Sequence, residues 1–223
     1  MFIVSLNLKT LYAIESTEKE KGKPVTLTLI GDINSPSFNE KVQKALPNPE
    51  VTDLEVIDEN LLRVPAFNTP PKPASVEVNR SKGSVSYKAR GKTFIGREVG
   101  SKVLSVAQGS YPDTLTLAHS KSVSNSYSCS LNVTAASVST AVGFNVSSTT
   151  SVTIGGSTKV PYKHNGKVVK YLTYKAYAIY DRYRFTVDKY VSKRGVVWKY
   201  KDVGTGIAYL PIGCHYTKTY TYK

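Results

Sequence analysis

The chain has 223 residues, with 30 Lys and Arg against 16 Asp and Glu, and a formal net charge of +14. That length supports one large β domain or two small ones with a buried core. No run approaches the ~20 apolar residues of a membrane helix, so any contact with a bilayer must be made by strands or by a surface.

The charge is uneven along the chain. Residues 1–60 carry ten acidic and six basic side chains, whereas the remainder carries six acidic and twenty-four basic ones. A basic body of this kind attracts an anionic membrane or a cell-envelope polymer. Nucleic acid is the disfavoured partner, because no RNP-like or other DNA- or RNA-binding motif accompanies the charge.

The opening MFIVSLNLKTLYAIESTEKE is a poor signal peptide: FIVSL is a short apolar core and no positive n-region precedes it. It fits at most the remnant of a signal whose beginning is missing. KPVTLTLIGDI (23–33) reads as a strand. SPSFNEKVQKAL (35–46) reads as a helix, with Pro36 at its first turn and Phe38, Val42 and Ala45 at helical spacing. VTDLEVIDENLLRVPAF (51–67) fits a strand or a short helix. NTPPKPAS (68–75) is the clearest linker, and it sets the boundary between a small mixed region, 1–70, and an all-β domain, 71–223.

Beyond it almost everything alternates as strands do. SVEVNR and SVSYKAR are joined by SKG as a hairpin, then KTFIGREV and KVLSVAQ follow on either side of Gly100. No capped, helix-length amphipathic pattern is read in 76–223. The expected fold is therefore mainly β: an elongated antiparallel β-sandwich or twisted sheet with long strands, preceded by a small mixed α/β region.

Residues 122–158 contain no charged side chain, and 17 of the 37 are Ser or Thr. Apolar residues hold odd positions up to Ala135 and even positions from Ala136, so the phase flips at TAAS (134–137). This predicts two long strands, about 122–134 and 138–154, forming a hairpin. Leu131, Val133, Val138, Val142, Phe144 and Val146 would line its apolar face. Such a hairpin satisfies a bilayer-spanning pattern of ~9–11 alternating residues per strand. It equally satisfies a long hairpin packed on a second sheet with its hydroxyls in water.

The final third holds twelve of the sixteen tyrosines and fourteen basic residues. YLTYKAYAIYDRY spaces Tyr171, Tyr174, Tyr177, Tyr180 and Tyr183 three apart; as a strand it sends alternate tyrosines to opposite faces. With Lys175, Arg182, Arg184 and Trp198 these form the expected surface-binding set. SKRG turns into VVWKYKDV, with Val196, Trp198 and Tyr200 on one face, and GTG (204–206) is read as a break. Asp181 is expected to make a cross-strand ion pair. Cys129 and Cys214 are either one long-loop disulfide or two thiols.

His119, His164 and His215 lack ligand spacing, the acidic residues form no close pair, and no nucleotide or nucleophile motif is present. Neither an enzyme nor a cofactor is expected.

The segments SVSNSYSCSLNVTAASVSTAVGFNV, SVTIGGSTKVP, VVKYLTYKAYAIYDRYRFTV and GTGIAYLPIGCHYTKTYTYK, within residues 115–223, resemble a poorly characterised family of secreted β proteins from Gram-positive bacteria. The resemblance implies secretion and carries no activity. A Ser/Thr-rich hairpin leading to KVPYKHNGK is more loosely similar to aerolysin-type β-pore-forming proteins. That likeness implies a non-enzymatic, homo-oligomerising protein in which 122–154 is the membrane-facing segment. The alternative is an extracellular structural or binding module attached to cell wall, matrix or spore surface through its basic Tyr-rich face.

Overall fold

The computed structural model describes residues 25–62, 84–117, 120–153 and 155–223. Eleven strands and three helices follow in chain order: β1 (Val25–Gly31), α1 (Pro36–Ala45), β2 (Val51–Asp58), α2 (Glu59–Leu62), β3 (Ser84–Gly109), β4 (Thr114–Leu117), β5 (Ser120–Ser124), β6 (Ser126–Cys129), α3 (Ala135–Val142), β7 (Thr149–Thr153), β8 (Gly156–Lys159), β9 (Lys163–His164), β10 (Lys167–Lys193) and β11 (Val196–Tyr222). The protein is mainly β, with long strands in a mixed sheet.

Three strands of 26 or 27 residues form its spine, in the order β11-β10-β3, all antiparallel. The β10–β11 hairpin closes at Arg194 and Gly195, both at positive φ (52° and 81°). Two such central residues make the turn type whose twist matches a hairpin. On the far side of β11, β2 pairs antiparallel with Gly213–Thr217, and β1 lies parallel to β2. β6 pairs with the neighbouring stretch of β11, Gly206–Tyr209. Two small sheets, β4-β8 and β5-β7, complete the fold.

The spine buries one face over one half of its length and the opposite face over the other. On β10, Leu172, Tyr174, Ala176 and Ala178 are buried in one cluster with Leu29, Phe38, Val56, Val123 and Val152. From Ile179 the phase reverses: Ile179, Tyr183, Phe185 and Val187 join a second cluster with Ala208, Leu210, Val138, Val142 and Phe144. Ile212 is the extra residue in β11 where the register shifts, between the pairs Ile179–Gly213 and Tyr180–Pro211. One strand thereby serves two cores on opposite faces.

Several expectations are corrected. Gly100 does not divide two strands, because β3 runs through it; a Cβ there would come within 2.8 Å of the Tyr180 ring. GTG does not break β11 either. Gly206 is small because the Phe185 ring and the Ser128 carbonyl occupy the space of a side chain. The uncharged tract is not a pair of long strands but β5, β6, α3 and β7, so a helix does form after residue 76. Thr134 caps it by accepting from the Ser137 N–H, and Gly143 ends it at φ 79°. The ambiguous segment 51–67 is both of the readings offered for it, a strand followed by one helical turn, as far as Leu62. The strand at 23–33 and the helix at 35–46 are found as β1 and α1, with Phe38 and Val42 buried. The linker 68–75 and the SVEVNR–SKG hairpin lie outside the described residues.

Candidate functional site: an uncharged strap around the sheet edge

Residues 120–153 wrap around the edge of β11. β5 and β7 lie together over the first core, to which they contribute Val123 and Val152. β6 then passes along the sheet edge, and α3 with its flanking loops covers the second core. The segment leaves and returns at one place, since Ser120 opposes Thr153 and Ser124 opposes Thr149. It is a strap closed at its base.

Asn125 holds that base. It is buried, its Nδ2 donates to the Asn145 carbonyl at 2.8 Å and to Ser148 Oγ at 2.9 Å, and its Oδ1 accepts from Thr150 Oγ1 at 2.9 Å. Its backbone N–H donates to the Ser148 carbonyl. Ser139 does the same for the helix: its Oγ donates to the Ala135 carbonyl and accepts from the Val146 N–H. Both residues satisfy buried polar groups within the strap rather than between strap and body.

The strap's grip on the body is mostly apolar. Val133, Val138, Val142, Phe144 and Val146 are buried at 0–4% exposure, with Leu131 half-buried beside them. All six predicted membrane-facing residues therefore belong to the second core or pack on it, at ~1.5–3 kcal/mol for each fully buried large side chain. Among the described residues the polar attachments are few: the four β6–β11 pairs, the Ala89 N–H donating to Ser137 Oγ at 2.8 Å, Cys129 Sγ against the Thr205 carbonyl at 3.6 Å, and the Lys92 ammonium over the Phe144 ring at 5.9 Å. Meanwhile Ser122, Ser124, Ser126, Ser128, Ser130, Asn132 and Thr134 are all exposed. The alternation read in the sequence is thus a true division of faces.

The tyrosine-rich strand does not hold the expected surface-binding set together. Tyr174 and Tyr183 are buried and leave the surface set: Tyr174 stacks on Tyr216 at 5.9 Å, and Tyr183 meets Phe94 and Phe144 at 5.8 Å, with the Lys92 ammonium 4.3 Å from its ring. Burial raises both phenols and lowers Lys92. Tyr171, Lys175, Tyr177 and Tyr180 are half-buried, Tyr177 facing His215 and Tyr180 edge-on to Tyr209. Arg182 pairs with Glu98 at 2.9 Å, and Asp181 makes the expected cross-strand pair, with Arg97. Arg184 lines a hollow of about 340 Å³ with Ser128, Cys129, Ser130 and Thr205. Trp198 lies far from these, at the exposed end of the spine.

Cys129 and Cys214 are free thiols. Cys129 pairs with Gly206 on β11, so eight residues of strand, roughly 26 Å at ~3.3 Å per residue, separate it from Cys214. A disulfide needs Cα atoms about 4.4–6.8 Å apart, so no bridge forms. Cys214 is instead part of the first core, where burial pushes its thiol up to about 12. Among the described residues no cluster of His, Cys, Asp or Glu could hold a metal ion.

A sequence signal for the helix in the strap was available. Thr134 and Gly143 are a cap and a stop with eight residues between them, and Ala135, Val138 and Val142 share helical spacing. The Ser, Thr and Val content favoured strand and concealed it. The chain matches no protein-family model and no curated protein.

Proposed function

We propose that this chain is a secreted, non-enzymatic, membrane-active β protein of the aerolysin-like type, whose strap leaves the sheet and inserts as a β-hairpin. One observation carries the reading: the register of β5 and β7. Continued inward from Ser124–Thr149, it opposes Tyr127 to Val146, Cys129 to Phe144, Leu131 to Val142, Val133 to Thr140 and Ala135 to Val138. Ala136 and Ser137 are left as a two-residue turn, where the phase flips.

Every apolar side chain between Tyr127 and Val146 then shares one face, apart from Ala136 in the turn and Ala141. The other face is Ser126, Ser128, Ser130, Asn132, Thr134, Ser139, Ala141, Gly143, Asn145 and Ser147. Nine residues per strand, Tyr127–Ala135 and Val138–Val146, span roughly 30 Å at ~3.3 Å per residue, the thickness a bilayer strand must cross. For the strap itself the exchange is balanced in kind, while the body's share of the second core, Ile179, Tyr183, Phe185 and Leu210, and the Gly206–Tyr209 edge of β11 lose their cover, which is the cost of release. Apolar groups move from the second core to hydrocarbon, the four β6–β11 pairs are replaced by hairpin pairs, and no charge is desolvated. Because the strap is closed at its base, it can leave without unthreading the spine.

The test uses dye-loaded vesicles of anionic or cell-derived lipid. Thr140 is exposed in the fold but falls on the apolar face of the hairpin, whereas Asn132 is exposed in the fold and falls on the polar face. Thr140→Lys places a cation near the C-terminus of α3, where the helix tolerates it, yet on the hairpin it lies on the lipid face two residues from the turn-side end, where the cost is below the ~2–4 kcal/mol of the membrane midplane. Wild type and Asn132→Lys are expected to release dye alike; Thr140→Lys is expected to be folded and to release it more slowly. No release by any form, with monomer at all concentrations, rejects the reading. A second reading, a module attached to cell wall by its basic surface, is favoured by the exposed cations at the end of the spine. Co-sedimentation with purified wall at low salt, without dye release, would establish it instead.

A further inference from the structure

None of the described residues at the end of the spine beyond the strap is a buried member of either core. Ser84–Lys88, Lys189–Lys193 and Val196–Tyr200 continue the β3-β10-β11 ladder, with β10 central and no further paired strand among the described residues. Val191 opposes both Trp198 and Val85, and Lys189 opposes both Tyr200 and Tyr87, so these side chains share one face. Neither core includes Val85, Val191 or Trp198. Val85, Val196, Val197, Trp198 and Tyr200 are 45–60% exposed. Val85, Val196, Trp198 and Tyr200, with half-buried Val191 between them, make an apolar patch on that one face, whereas Val197, opposite Ser192, lies on the other face.

The charges around the patch have one sign. Asp188 and Asp202 are taken up by Arg90 and Lys199, and these contacts hold the Asp188 carboxyl down at about 2. Lys88, Lys189, Lys193, Arg194 and Lys201 have no carboxylate partner among the described residues. Lys88 and Lys189 lie over the rings of Tyr190 and Tyr200, at 5.2 and 5.9 Å. Lys193 ends β10 opposite Val196, and Arg194 sits in the turn.

We propose that this three-stranded tip is the surface by which the protein docks on a bilayer carrying anionic headgroups. The inference rests on the membrane-active reading above and names its contact surface. Charge complementarity selects the occupant: juxtamembrane Lys and Arg are attracted to anionic leaflets, and Trp and Tyr settle at headgroup depth. The valines then enter the acyl boundary, an outcome that aqueous polyanions do not offer. Val191 and Val196 flank Trp198 on its face, and aliphatic side chains give a nucleic acid no stacking platform.

Trp198 is the only tryptophan in the chain, so its emission reports on the tip directly. The full chain is titrated with phosphatidylcholine vesicles, with and without phosphatidylserine. A blue shift and quenching by brominated acyl chains are expected with the anionic vesicles alone. Both should be lost in about 1 M salt, where the Debye length is about 3 Å. Lys193→Glu/Arg194→Glu should weaken the affinity about tenfold or more. Lys163→Glu/Lys170→Glu, with the same net charge but exposed at the opposite end of the β10–β11 hairpin, should leave it unchanged. Unchanged Trp198 emission while the protein sediments with vesicles overturns the proposal, as does equal weakening by the two double variants. A shift produced by single-stranded oligonucleotide but not by vesicles also overturns it. Dye release is read in the same samples: release without a Trp198 response rejects the tip and leaves the pore reading standing, whereas a response without release upholds the tip and rejects the pore.

Discussion

The strap and the tip solve opposite problems with adjacent stretches of the same spine. From Ser122 to Thr153 the strap has no charge; it hides Val123 and Val152 in the first core and its other valines and Phe144 in the second, and turns most of its serines outward. The tip does the reverse, surrounding exposed Val85, Val196, Val197 and Trp198 with cations. On the proposed reading the contrast has a reason: a segment that enters hydrocarbon cannot carry charge, and one that only touches headgroups profits from it. The contrast also separates folding from function. The strap's apolar residues hold the folded protein together, and the tip's do not.

The sharpest way to break that contrast is to truncate one large side chain in each region. Phe144→Ala is expected to cost about 3–5 kcal/mol in urea unfolding followed by circular dichroism. Trp198→Ala should stay within about 0.5 kcal/mol of wild type. Equal losses would make the tip a structural element.

Next in size is Asn125→Ala. It leaves the Thr150 hydroxyl and the Asn145 and Ser148 acceptors short of partners, at an expected cost of about 1–3 kcal/mol. The same change loosens the strap at its base, so the rate of dye release should rise; a slower rate would mean that Asn125 serves insertion rather than restraint. Thr134→Ala removes the α3 cap, at about 1 kcal/mol.

The smallest effect is a pH slope in the body, outside both regions. Lys218 Nζ donates to the Asn48 carbonyl at 2.7 Å, and burial lowers its pKa from 10.5 to about 8. From about pH 8 to 9 the unfolded chain binds the proton that the folded one is releasing, so stability should rise there; above about 9, Cys214 and the buried tyrosines, which burial raises, pull the other way. Lys218→Met should abolish that rise, and a strap variant such as Thr134→Ala should keep it.

The spine was legible from sequence because its residues alternate and because SKRG marks a hairpin turn; β1, α1 and the Asp181 ion pair were legible for similar local reasons. Two kinds of feature were not. Glycines at 100 and 206 look like punctuation, yet each makes room for an aromatic ring from β10, Tyr180 or Phe185, and that is a tertiary fact. The phase flip at TAAS was visible, but a flip has more than one cause. The protein answers it with a short capped helix, because wrapping the strap round the edge buries Val138, Val142 and Phe144 against Phe185 and Ala208. A free hairpin in water would leave them exposed. The tyrosines misled as a set, since three-residue spacing on a strand that changes its buried face puts Tyr174 in one core and Tyr183 in the other.

The central claim is that the strap must leave the sheet for the protein to act. Ser128 and Ile207 oppose each other on β6 and β11 and face the same hollow, within the cross-strand reach of a disulfide. In a Cys129→Ser background, Ser128→Cys/Ile207→Cys allows the strap to be locked by oxidation and freed by reductant, and dye release is measured from one sample in both states. Release only after reduction is the expected result. Equal release from the oxidised, verifiably bridged protein would contradict the account, because the second core would then be intact in the active state.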